Sequence, residues 1–222
     1  MLYESTTTRH FTHHLYDVST TIFQRALEGV QGKPGLAQLR WFPLHILRKN
    51  QKGISFMEKF AGNKILVLGC SGSGKSTFSR KLAARTGLPL IHLDNIWWRP
   101  DQTHITREEF DQKLNEILHD DFWIIDGNYS RTYEERIRAC DTIIFLDYSE
   151  EVCMDGITRR VGQDRPDIPW TEQHLNPELV KFVHDFHETG RFQLLALIEK
   201  YSDKKALIFK TREEAGEWLS QT

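Results

Sequence analysis

The chain has 222 residues, of which 39% are apolar and 27% charged, with a formal net charge of −2. That is enough for one sizeable domain with its own core, and no run approaches the roughly 18–20 apolar residues of a membrane span. The charge is uneven: residues 1–63 carry eight Lys/Arg against four Asp/Glu (+4), and residues 64–222 carry 21 against 27 (−6), an acidic balance that disfavours a duplex-binding domain without excluding local nucleic-acid contact. Cys70, Cys140 and Cys153 form no C-x-x-C pair. They exclude a disulfide framework and point to a reducing cytoplasm, with a monomer or homodimer as the expected state.

Residues 1–60 show no convincing period and predict a poorly ordered or helical N-terminal extension. His10, His13 and His14 lack the Cys or carboxylate partners of a metal site. The segment is basic and acid-poor, as a transit peptide is, but no amphipathic arginine helix accompanies it. Met57 opens "MEKFAGNKILVLG", and the codons of Lys52-Gly53 can spell a purine-rich ribosome-binding sequence. Met57 is therefore an expected alternative start, with the stretch before it an upstream mis-start.

Residues 61–222 read as one P-loop kinase-like domain. Short apolar runs at Lys64–Leu68, Leu90–Leu93, Phe122–Ile125, Thr142–Leu146 and Ala206–Phe209 alternate with segments of helical period. Runs apolar on both faces are the pattern of buried parallel strands, and their alternation with helices predicts a doubly wound α/β sheet. The first run leads into Gly69-Cys70-Ser71-Gly72-Ser73-Gly74-Lys75-Ser76-Thr77, which satisfies the full P-loop spacing between a strand and a helix at Lys75–Arg85. Its glycines let backbone N–H groups converge on phosphate, Lys75 is placed to reach the terminal phosphates, and Ser76 to hold Mg²⁺. Cys70 reads simply as a small residue that fits the loop.

A P-loop enzyme needs a second group on the Mg²⁺ side. Asp94, Asp126 and Asp147 each follow an apolar run. If the strand order is 2-3-1-4-5, as in small P-loop kinases, Asp126 in "WIIDGNY" lies beside the phosphate loop and is the metal-side carboxylate. Asp94 is then the acceptor-binding residue or proton acceptor, and Asp147 caps the turn into a helix begun by Ser149-Glu150-Glu151. In "DNIWWRP", Trp97 and Trp98 either stack on a planar acceptor or serve as core and cover. Arg99, Arg131 and Arg136 are candidates to hold an acceptor's negative charge. His92 reads as buried strand, and His184 and His187 as helix surface. "RRVGQDRPD", with Arg159, Arg160 and Arg165, predicts a mobile lid carrying arginine to the transferring group. Pro177–Tyr201 predicts a long helix broken near Gly190, and Lys210-Thr211-Arg212 a loop whose Arg212 touches the base of the nucleotide.

Together "KILVLGCSGSGKSTFSRKLA", "LDNIWWRP", "WIIDGNY", "TIIFLD" and "RPD" resemble the small P-loop proteins known as DNA topology modulation (FlaR-like) proteins, relatives of adenylate, shikimate and other small-molecule kinases. The resemblance covers residues 64–220. It implies a three-layer P-loop NTPase fold, a five-stranded parallel sheet of order 2-3-1-4-5 with helices on both faces, an arginine-bearing lid, and an adenine nucleotide. The expectation is an ATP-dependent, Mg²⁺-dependent phosphotransferase with an unidentified small-molecule acceptor of nucleoside or nucleotide type. The alternatives are a nucleotide-regulated protein that modulates DNA topology, or a slow ATPase.

Overall fold

The computed structural model describes residues 62–221; the expectations for residues 1–60, including a start at Met57, lie outside the described residues. Five parallel strands form one sheet: β1 (Lys64–Gly69), β2 (Leu90–His92), β3 (Trp123–Asp126), β4 (Thr142–Leu146) and β5 (Lys205–Phe209), in the order β2-β3-β1-β4-β5. This is the expected P-loop NTPase arrangement. Strands β1, β3 and β4 are buried at nearly every residue, so helices must cover both faces of the sheet centre. The core runs from Ile65–Leu68 through Ile124–Ile125 to Ile143–Leu146.

The eight α-helices among the described residues are α1 (Lys75–Thr86), α2 (Leu93–Trp97), α3 (Arg107–His119), α4 (Tyr133–Ala139), α5 (Glu150–Arg159), α6 (Pro177–Asp185), α7 (Arg191–Lys200) and α8 (Arg212–Gln221). Local chemistry explains their ends. Thr106 and Glu109 form a reciprocal capping box at the start of α3. Ser149 accepts from the Val152 N–H to begin α5, and Asn176 with Pro177 begins α6. Gly87, at φ 74°, stops α1.

Three expectations need correction. The second strand ends at His92, and Leu93 opens a short helix, so Asp94 stands in the first turn of α2 rather than at a strand end. The long helix expected over 177–201 does not break at Gly190. It passes through a π turn at Phe186–Gly190 that joins α6 to α7. Strand β5 is an edge with only Phe209 buried, so its apolar run did not signal a two-sided core position.

Candidate functional site

Gly69 ends β1, and the loop Cys70–Gly74 turns back so that α1 starts at Lys75. Gly72 sits at φ 83° in the left-handed region, and a Cβ there would strike the Cys153 carbonyl of α5. Gly156 faces it: a Cβ on Gly156 would meet the Gly72 carbonyl. The loop thus rests backbone to backbone on α5, an approach only glycine allows. Lys75 Nζ donates to the Cys70 carbonyl at 2.9 Å and the Ser73 N–H donates to the same oxygen at 3.2 Å. The lysine is held across the loop mouth.

The loop opens into a cavity of about 1160 Å³ whose lining includes Gly72, Gly74, Lys75, Ser76 and Thr77 on one wall. Asp94, Trp98, Asp126 and Tyr129 form another wall, and Arg160, Arg165, Asp167 and Glu172 a third. Asp126 is 3% exposed. Parallel register sets it directly opposite Val67 on one side and His92 on the other. His92 Nδ1 lies 2.9 Å from Asp126 Oδ2, while Asp126 Oδ1 is buried without a hydrogen-bond partner. A buried, unsatisfied carboxylate oxygen is costly unless something binds it. Asp126 and the Ser76 hydroxyl both line the cavity, and oxygen donors of this kind suit a hard cation such as Mg²⁺.

Asp94 is turned differently. Tyr129 Oη donates to Asp94 Oδ1 at 2.7 Å. Burial raises the Asp94 carboxyl above its ordinary range, and the nearby Asp126 charge adds to this, against the lowering effect of the tyrosine bond. Burial and the Asp94 charge push the Tyr129 hydroxyl up, so it remains a donor. Tyr129 itself sits at φ 41°, a conformation that costs a non-glycine residue about 1 kcal/mol or more.

The strain is held by Arg136. This fully buried guanidinium, on α4, donates to the carbonyls of Gly127 (2.8 Å), Tyr129 (3.0 Å), Thr132 (3.3 Å) and Asn128. Burial lowers it to about 10, still cationic at neutral pH. Gly127, at φ 141°, lets the chain turn against Leu93, whose Cβ would lie 2.8 Å from any added methyl. "DGNY" is therefore a loop wrapped around an arginine.

The lid covers this arrangement. Asn95 Nδ2 donates to the Pro166 carbonyl at 2.8 Å, and Trp170 packs edge-on against Trp98 with ring centroids 5.2 Å apart. Glu172 binds Arg160 at 2.8 Å and Arg165 at 3.6 Å. Burial lowers the Arg160 guanidinium from its ordinary value, and the Arg165 charge lowers it further. Asp167 is buried, pairs with Arg165 at 3.5 Å and accepts a hydrogen bond from Ser76. Burial pushes its carboxyl up, but Arg165 and Ser76 outweigh that and hold it below the usual range.

The other sequence candidates are placed elsewhere. Trp97 stacks on His104 at 4.5 Å and meets Phe110 and Tyr129 edge-on, so of the two tryptophans only Trp98 lines the cavity. Arg99 is exposed and outside the lining. Arg131 is bound to Asp111 at 2.5 and 2.8 Å, on a separate face outside the cavity lining. Arg136 is spent on backbone carbonyls. Arg212 donates to the Gly72 and Val152 carbonyls at 3.4 and 3.2 Å and supports the loop from behind. Asp147 caps nothing: Ser149 does that, and Asp147 pairs with Arg191 at 2.6 Å and with Lys210. Tyr129, Asp167, Glu172 and the His92–Asp126 pair were not legible as site members. "DGNY" and "RPD" marked the first two as unusual segments, and the parallel register of β2 and β3 could have found the pair.

Fold and loop together define a P-loop domain of small-kinase topology. Among solved structures the chain resembles the shikimate kinase from Acinetobacter baumannii in complex with shikimate, at 16% identity over 71% of this chain and 90% of that one, with a TM-score of 0.49. It also resembles the shikimate kinase from Bacteroides thetaiotaomicron, at 20% identity over 71% of this chain and 94% of that one, with a TM-score of 0.46. No protein-family model matches the chain, and no curated protein matches its sequence.

Proposed function

We propose that this chain is an ATP-dependent phosphotransferase that moves the γ-phosphoryl group to a hydroxyl of a small acceptor. One observation carries the reading: the phosphate loop with Lys75, the half-buried Asp94–Tyr129 pair and the lid arginines Arg160 and Arg165 line one cavity. ATP phosphates would lie on Gly69–Thr77. Ser76 and Asp126, directly or through water, would hold Mg²⁺, which when bound neutralises charge on the phosphates. Lys75 would leave the Cys70 carbonyl for a terminal phosphate oxygen. Arg160 and Arg165 would meet charge developing on the transferring group. Asp94, steered by Tyr129, would accept the acceptor's hydroxyl proton.

Charge supports an uncharged acceptor. The lysines and arginines lining the cavity are Lys75, Arg160 and Arg165, and all three belong to the donor phosphates or the lid. Among the described residues no other lysine or arginine lines the cavity, so a nucleoside or sugar hydroxyl fits better than a nucleotide's phosphate. Trp98, Trp170 and Tyr129 offer it ring faces. The decisive measurement is ADP production in the presence of nucleosides, nucleotides and sugars. Stimulation by an uncharged hydroxyl compound supports the reading, and none by any acceptor, with slow ATP loss alone, overturns it.

The resemblance to DNA topology modulation proteins leaves a second reading, a nucleotide-regulated DNA-binding protein. The −6 charge of residues 64–222 disfavours it. Salt-dependent duplex binding that changes with Mg-ATP would bring it forward.

A further inference from the structure

A cluster outside the cavity lining lies against the phosphate loop. Cys70 of the loop, Cys153 of α5 and His187 of the π turn bring Sγ, Sγ and a ring nitrogen within 4.8 Å of one another. Both cysteines are buried, free thiols, and His187 is the partly exposed member. His187 has both ring nitrogens against carbonyl oxygens, Nδ1 at 2.8 Å from Val183 and Nε2 at 3.0 Å from Tyr148. A neutral imidazole can donate only once, so this setting favours the imidazolium. Its π turn is a departure from α-helix that is frequent at functional sites.

We propose that Cys70 and Cys153 are a modification site: a thiol pair that closes to a reversible disulfide and withdraws the phosphate loop from nucleotide binding. The proposal rests on the reading that the loop holds Mg-ATP. A resident metal fits the cluster less well, because both His187 nitrogens are already engaged and only three ligands are present among the described residues.

Charge favours the chemistry. The hydrogen bond from Cys70 lowers the Cys153 thiol, against burial, with His187 and Lys75 adding their charge. The same bond, then burial, raises the Cys70 thiol. Burial opposes the charge on His187, but the two carbonyls outweigh it and raise the imidazole above its ordinary value. Cys70 Sγ lies 4.0 Å from the Val183 carbonyl, to which a thiol donates, so Cys70 keeps its proton as the resolving thiol and Cys153 is the attacking sulfur.

With a small peroxide as oxidant, Cys153 Sγ attacks one peroxide oxygen and the O–O bond breaks. Cys153 becomes a sulfenic acid, and hydroxide leaves to take up a proton as water. Cys70 Sγ then attacks Cys153 Sγ and gives up its proton. The S–O bond breaks, a second water leaves, and the S–S bond forms. The two sulfurs have lost two electrons and the peroxide has gained them. A low-molecular-weight thiol reverses the step through a mixed disulfide.

The bond must shorten the sulfur gap to about 2.05 Å. Gly72 already rests on the Cys153 carbonyl, so the loop has no room to follow as a unit. Cys70 must rotate its own peptide groups, and its carbonyl is the oxygen that holds Lys75 Nζ and the Ser73 N–H.

The test uses the full chain, first reduced with dithiothreitol, then treated with hydrogen peroxide. Peptide mapping should find a Cys70–Cys153 link. The dissociation constant for Mg-ATP, read by titration calorimetry, should rise at least about tenfold and return with dithiothreitol. Cys153→Ser should bind Mg-ATP like the reduced parent and ignore peroxide, while Cys140→Ser stays sensitive. Absence of the linked peptide after the thiols are consumed overturns the proposal. So does a linked protein that binds Mg-ATP unchanged, or stoichiometric Zn²⁺ binding by the reduced chain that Cys153→Ser abolishes. The parent's linked peptide and binding shift decide the matter even where a variant folds poorly. If the reduced parent does not bind Mg-ATP, the function proposed above fails on its own, separately from the mapped link.

Discussion

The two sides of the cavity are built by different means. The phosphate-loop side, proposed to hold the donor, is mostly backbone: a strand, a loop with two glycines and a helix start, with Lys75 the one long side chain. The Asp94 side, proposed to hold the acceptor, is mostly side chain: Asp94 tied to Tyr129, Tyr129 strained, and Arg136 buried beneath to hold the strain. A backbone device tolerates change around it but not in its spacing. A side-chain network fails wherever one member is removed.

Lys75→Ala attacks the donor side and should have the largest effect. Loss of the phosphate-side cation should lower turnover by about 10²–10³-fold and weaken Mg-ATP. Unchanged Mg-ATP affinity by calorimetry would break the assignment of the loop. Asp94→Asn attacks the other side. It should leave Mg-ATP affinity near the parent's while transfer falls by about 10²–10⁴-fold; an equal loss of both would show that the sides are not separable. Arg136→Met removes a buried cation and its hydrogen bonds to four carbonyls. It should cost about 3–5 kcal/mol in chemical denaturation, whereas Arg131→Ala should cost no more than about 1 kcal/mol, as an exposed pair does.

The pH profile sharpens the contrast. In the proposed reaction Asp94 acts as an ionised proton acceptor, and burial raises its carboxyl. Activity should therefore fall with decreasing pH at values above the ordinary carboxylate pKa of about 4, while Mg-ATP binding persists. Tyr129→Phe removes a bond that lowers Asp94, so the acid limb should move to still higher pH. The shift corresponds to about 0.5–1.5 kcal/mol, the worth of one hydrogen bond. A limb that stays in place would remove Tyr129 from the role of positioning Asp94.

The same contrast explains what could be read from sequence. The phosphate loop is contiguous, and its spacing is its geometry, so Gly69–Thr77 were legible as a unit. The strand order placed Asp126 beside β1 before any coordinates. On the acceptor side the partners are 35 residues apart, as with Asp94 and Tyr129, or 34, as with His92 and Asp126. No local period reports such pairs. Arginines misled for a related reason. Arg99, Arg131 and Arg136 share a charge and a neighbourhood in the chain, yet one is solvated, one paired and one buried. Only packing distinguishes these fates. Trp97 and Trp98 were ambiguous because Trp97 ends α2 and Trp98 follows in extended backbone, so the adjacent rings meet different neighbours.

The glycine pair Gly72–Gly156 seats the phosphate loop directly on the backbone of α5. That helix carries the loop on its flank and runs out, at Arg159, into the Arg160 of the lid. With no side chain between Gly72 and Gly156, there is no cushion at that contact to absorb a displacement. A loop filled by phosphate and a loop left empty would seat the helix differently, and the lid arginine would inherit that difference as a change of aim. Timing of lid closure would then depend on a contact made of backbone alone.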